Sequence, residues 1–168
     1  MTISMYDVSV PVFTRGLAQL SHVLDKGLAH AKAAGTDPAS LIQARLAPDM
    51  LTLAGQVQRA SDASKLGIAR IAGISAPPFA DTEASFEELQ ARIANTLAFL
   101  NGVDRSAIEG HEDRSVLLKV GGHELTFEAQ RYLLQFALPN FFFHVTAAYS
   151  VLRNAGVAVG KLDYLGRF

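Results

Sequence analysis

The stretch that decides the fold is Leu138–Val157, LPNFFFHVTAAYSVLRNAGV, a strongly apolar helical segment interrupted by a proline, an asparagine and a histidine. At about 3.6 residues per turn, Asn140 and His144 share one face. Counted from Leu133, that face also carries Leu133, Ala137, Ala148 and Val151, so His144 is expected to point toward the core among small aliphatic side chains. An imidazole and a carboxamide placed there each cost about 1–3 kcal/mol unless they find hydrogen-bond partners. Pro139 has no N–H to offer the Gln135 carbonyl, so a kink or an inserted water is expected one turn before the pair.

Three further amphipathic segments precede this one. From Ser9 to Ala34, the residues Val10, Phe13, Leu17, Leu20, Leu24, Leu28 and Ala31 recur at helical spacing, with Pro11 in the first turn and Gly35 as the stop. After a short turn or helix announced by Asp37-Pro38, Pro48 opens a second long helix whose stripe is Met50, Leu53, Val57, Ala60, Ser64, Ile68 and Ile71, ending at Gly73. The Pro-rich ISAPPFAD (74–81) breaks the pattern. A third helix is expected from Thr82 to Leu100, capped by Asp81 or Thr82, with Phe86, Leu89, Ile93, Leu97 and Leu100 inward. In SVLLKVGGHELTF (115–127), two short runs flank Gly121-Gly122, the signature of a β-hairpin. The fourth helix runs from Thr126 or Phe127 to Asn154, with Gly156 as its stop, and the tail GKLDYLGRF is too Gly-interrupted to be another helix. Amphipathic helices joined by short links argue for an all-α fold, an antiparallel four-helix bundle with a small β-hairpin before the last helix, in one domain spanning 1–168.

Composition narrows the function classes. Of the 168 residues 49% are hydrophobic and 18% charged, and the net charge of −1 leaves no electrostatic footprint for nucleic acid or an anionic membrane. There is no cysteine, which removes disulfides, thiolate metal sites and thiol nucleophiles. MTISMYDVSVPVF lacks the basic and apolar regions of a signal peptide, and no apolar run is long enough to span a membrane, so a cytoplasmic protein is expected. A weakly charged, apolar chain should self-associate, and a homodimer is the expected partner.

LAPDM (46–50), GQVQRASDASK (55–65), ALPNFFFHVTAAYSVLRNAGV (137–157) and GKLDYLG (160–166) resemble a family of small bacterial proteins catalogued as a domain of unknown function and similar to the DinB/YfiT-like four-helix bundles. The resemblance runs along essentially the whole chain. It implies a DinB-like up-down-down-up bundle, often dimeric, with no established activity. Metal-binding members of the wider clan, thiol-dependent transferases among them, use one histidine from the second helix and two spaced by four on the fourth. Such a set gathers imidazoles at one point and leaves positions open for water or substrate. His144 matches the last of those histidines, Asn140 stands at the earlier one, and the second helix, 48–73, contains none. A neutral amide is a poor ligand for zinc or nickel. The resemblance therefore implies a degenerate metal site, and neither metal nor other cofactor is expected.

The ligand-binding candidates are His144, Asn140, Gln56 and Asp49. Gln56 lies beside the small residues Ala60 and Ala63 and is the best candidate to face His144. Asp49, in the first helical turn, is favoured there by the helix dipole alone, or sits at the mouth of the cluster. Gln58, Asp62 and Lys65 fall on the opposite face, where Asp62 and Lys65 should form a solvated pair. His22 and His30 lie off the apolar stripe and are expected to be exposed, while His111 and His123 sit in polar surface segments. Phe142, Tyr149 and Arg153, on the far side of the fourth helix, need cover from the hairpin, the tail or a second subunit. No GxSxG, Walker loop, HExxH or GxGxxG is present. Two readings stay open: a non-catalytic or small-ligand-binding bundle, and a metal- or thiol-dependent transferase or hydrolase using the His144 region.

Overall fold

Four long helices carry the computed structural model, which describes residues 4–166. They are α1 (Val10–Ala34), α3 (Leu53–Ala72), α4 (Phe86–Asn101) and α6 (Leu138–Asn154). The short α2 (Pro38–Ile42) starts at Asp37, whose side chain caps the Ala39 N–H. Strands β1 (Ser115–Val120) and β2 (His123–Glu128) form an antiparallel hairpin, followed by α5 (Ala129–Tyr132), a π-helical turn (Leu133–Ala137) and α6. Both Gly121 and Gly122 have positive φ, as the two-residue turn requires. Helix α1 packs on α4 and α6, and α3 on the same two, so the consecutive helices α1 and α3 lie diagonally across the bundle. The chain is an antiparallel four-helix bundle with a small hairpin before the last helix.

The stripes read from sequence build the core: Phe13, Leu17, Leu20 and Leu24 meet Val57, Ala60, Ile68 and Ile71, with Leu89 and Ile93 from α4, all buried. Phe13 and Phe141 meet edge to face at 5.0 Å. Helix α1 can approach Phe141 only because Gly16 has no side chain; a Cβ there would overlap the ring.

Several boundaries move. Helix α3 begins not at Pro48 but after Thr52, whose hydroxyl accepts from the Gly55 N–H. Helix α4 begins after Ser85, not Asp81 or Thr82, because Ser85 and Glu88 close a reciprocal capping box. The last helical run starts at Ala129, since the hairpin ladder holds residues through Glu128. The tail is not helix-free: Gly160 N–H donates to Asp163, and α7 (Lys161–Leu165) forms in spite of the glycines. Arg167 and Phe168, the end of that tail, lie outside the described residues, as do residues 1–3 at the other terminus.

The break expected near Pro139 takes the form of the π turn, in which the Leu138 N–H donates to the Leu133 carbonyl. The wider turn inserts one residue and shifts the face counted from Leu133. Its Ala137, Ala148 and Val151 are buried as expected, but the core line also takes in Phe141, Val145 and Leu152, and His144 is half-buried at its edge rather than centred in the core.

Helix α7 covers the far side of α6: Tyr164 meets Tyr149 at 5.9 Å, and Arg153 donates to the Val159 carbonyl just before it. Phe142 is half-buried beside Tyr164 and Leu165. Asp163 ties α7 to α1 through Lys26 and His22. His22 is exposed as expected, whereas His30 is half-buried.

Candidate functional site

Helices α3 and α6 bring two of the four candidate residues together. Gln56 sits in the first turn of α3 and is 1% exposed; its Oε1 lies 2.8 Å from His144 Nδ1, one face across on α6. The Gln56 amide nitrogen donates toward the Leu51 carbonyl at 3.4 Å, which leaves Oε1 as the acceptor for the ring. His144 Nδ1 therefore carries the proton, and in the neutral ring Nε2 keeps a free lone pair. Desolvation, then the nearby positive charge of Arg59, holds the His144 pKa below the ordinary histidine value. Phe143 stacks edge-on against the ring at 5.2 Å.

Asn140, one turn earlier on α6, takes no part in that hydrogen bond. It lines a cleft of about 180 Å³ with Arg59, Asp62, Arg70, Lys119 and Tyr132. Asp49 is a correction. It is exposed in the turn before α3 instead of in a first helical turn, because the helix starts at Thr52, and no contact ties it to His144.

The cleft residues Arg59 and Arg70 were not singled out in the sequence, though a signal exists. Gln56, Arg59, Ala63, Leu66 and Arg70 follow one another at spacings of three and four, a polar stripe running along the edge of the apolar one. The hairpin contributions, Leu118 and Lys119, come from a tertiary contact that no local pattern announces.

Behind the cleft, the expected solvated Asp62–Lys65 pair is a buried network. Lys65 is 2% and Arg92 3% exposed, and Asp62 pairs with Lys65, Arg92 and Arg59. Arg92 also binds Glu83 and Asp81, and Lys65 lies over the Phe79 ring at 3.8 Å. The helical wheel misleads here because the Pro-rich connection folds back over that face of α3 and seals it. Desolvation lowers the Lys65 pKa, and for Arg92 the Glu83 hydrogen bond and surrounding carboxylates outweigh desolvation and raise it. Both cations are neutralised in place, so this network is a structural staple.

Among the described residues, no three or more His, Asp or Glu side chains converge as a metal-ligand group. The same residues contain no helix long and apolar enough to cross a membrane.

A half-buried histidine held by an amide, beside a polar cleft between the second and fourth long helices, is the candidate site of this DinB-like bundle. Residues 5–165 match the family DUF1993, a domain of unknown function, and the chain belongs to that family. It is similar to the crystal structure of a DinB family member protein from Shewanella denitrificans, with 36% identity, a TM-score of 0.88, and coverage of 97% of this chain and 92% of that one. No curated protein matches the chain significantly.

Proposed function

We propose that this protein is a non-catalytic bundle that binds a small polar ligand in the cleft between α3 and α6, without a metal. The observation that carries the reading is the cleft itself. Asn140, Arg59, Arg70 and Tyr132 line a concave space together with the apolar Leu66, Ala63 and Ala137. A few converging polar groups among apolar side chains are what small-molecule sites consist of. Asn140 stands where the clan's pattern has a histidine, and its amide suits hydrogen bonding better than metal ligation. Thermal melting of chelator-treated protein against a panel of small polar compounds tests this. At least one compound should raise Tm in the parent and lose its effect in Asn140→Leu; no shift from any compound, or shifts indifferent to Asn140, would refute it.

One observation favours a metal- or thiol-dependent transferase or hydrolase instead. Gln56 holds His144 by Nδ1 and leaves Nε2 available, the arrangement that orients many metal-bound histidines. Elemental analysis of untagged protein purified without chelators separates the two, since one zinc or nickel per chain, lost in His144→Ala, would refute the metal-free reading.

The expected homodimer fits the exposed Phe143, Leu46 and Leu51 at the junction of α6 with the turn before α3, and we place self-association there.

A further inference from the structure

We propose that the α3/α6 cleft selects a small oxyanion, a carboxylate or phosphate, and that the β-hairpin supplies one of its binding charges. The inference rests on the ligand-binding reading above and adds the chemical class. Three cations line the cleft, Arg59, Arg70 and Lys119, against one carboxylate, Asp62. That carboxylate is already shared among Arg59, Lys65 and Arg92, so little of its charge is left for the cleft. Arg59 is further engaged by Asp81.

Arg70 is the decisive group. Its Nη1 donates to the Tyr132 hydroxyl at 2.9 Å, a neutral partner, and no carboxylate pairs with it among the described residues. Tyr132 stays that neutral partner, since desolvation raises its pKa against the opposing pull of Arg70. A guanidinium bordering a partly enclosed space without a counter-ion presents the donor fork that carboxylate and phosphate groups match.

Lys119 reaches the same cleft from β1. Its partner Glu124 lies across the hairpin at 2.5 Å, with both side chains well over half exposed, and an ion pair in that setting is weak enough to be exchanged for a ligand. Asn140 offers a neutral amide donor in the same cleft, and Leu118 from the hairpin adds an apolar lining residue. For a chain of net charge −1, a guanidinium without a carboxylate partner beside a lysine held only by an exposed ion pair is a local and specific positive feature.

The test is an amide-resolved NMR titration of the whole protein at constant ionic strength, with inorganic phosphate as the anionic probe and benzamide as a neutral one. The predicted result is saturable phosphate-induced shifts at Arg59, Arg70, Lys119 and Asn140, with binding weakened at least tenfold in Lys119→Gln and in Arg70→Gln. Lys119 is far enough out on the surface that its replacement leaves the fold in place, so that variant keeps the test valid if Arg70→Gln disturbs Tyr132. Phosphate shifts that do not saturate, or that both variants leave unchanged, would overturn the anion assignment. If benzamide saturates the same resonances while phosphate does not, the cleft is a ligand site for neutral molecules and only the oxyanion class fails. If neither probe perturbs the cleft, the oxyanion assignment falls, and the melting panel decides the ligand-binding reading.

Discussion

His144 is held in a state that water would not choose: its ring is partly desolvated, and its proton sits on Nδ1 against the Gln56 carbonyl oxygen. Removing the ring leaves the buried Gln56 acceptor unpaired, so His144→Ala should cost about 1–3 kcal/mol in urea unfolding. The pH sign follows from the lowered pKa. The unfolded chain binds a proton below about pH 6.5 that the folded ring resists, so stability contributed here is complete above that pH and declines as pH falls toward the folded value. His144→Gln should flatten the dependence below about pH 6.5, where the unfolded histidine takes up its proton; an unchanged slope would show that the ring is not desolvated. Arg92 is the opposite case, a buried cation whose two terminal nitrogens pair with Asp62, Glu83 and Asp81, while its Nε has no hydrogen-bond partner among the described residues. Arg92→Leu would leave those carboxylates without their common partner, and a loss of about 3–5 kcal/mol is expected by the same measurement.

Helices pack through a few points where one side chain needs space on its neighbour. Gly16 under Phe141 is such a point, so Gly16→Ala should destabilise by about 1–3 kcal/mol through overpacking, although alanine is the better helix former. Chemical denaturation measures it, and a stabilised variant would contradict the packing. The same elements show what sequence could disclose. The stripes of α1, α3 and α4 were legible because burial there follows a steady helical period, from Phe13 and Leu17 to Ile68 and Ile71. The Gly121-Gly122 turn was legible because few other pairs accept positive φ. Helix starts were not, since Thr52 and Ser85 compete with other plausible caps and only the folded chain decides between them. The exact face of α6 was hidden by the π turn, which adds a residue without a sequence mark beyond Pro139. Gln56 opposite His144 could be read from small neighbours, whereas the burial of Lys65 and the arrival of Lys119 depend on segments remote in the chain.

For the molecule as a whole, Phe143 at 58% exposure, with Leu46 and Leu51, leaves apolar surface that a second copy would cover. Sedimentation equilibrium at micromolar concentration should give twice 18.0 kDa for the parent and a shift toward monomer for Phe143→Asp. A single 18.0 kDa species across the concentration range would exclude the dimer. The central claim, a metal-independent ligand site between α3 and α6, is tested most directly by one crystal structure. Untagged protein, purified without chelators, is crystallised with the compound that most raises its Tm. The account predicts ligand density against Arg59, Arg70 and Asn140, with no metal at His144 Nε2 and the Nδ1–Gln56 hydrogen bond intact. A metal on His144, or the compound bound elsewhere on the protein with the cleft empty, would contradict it.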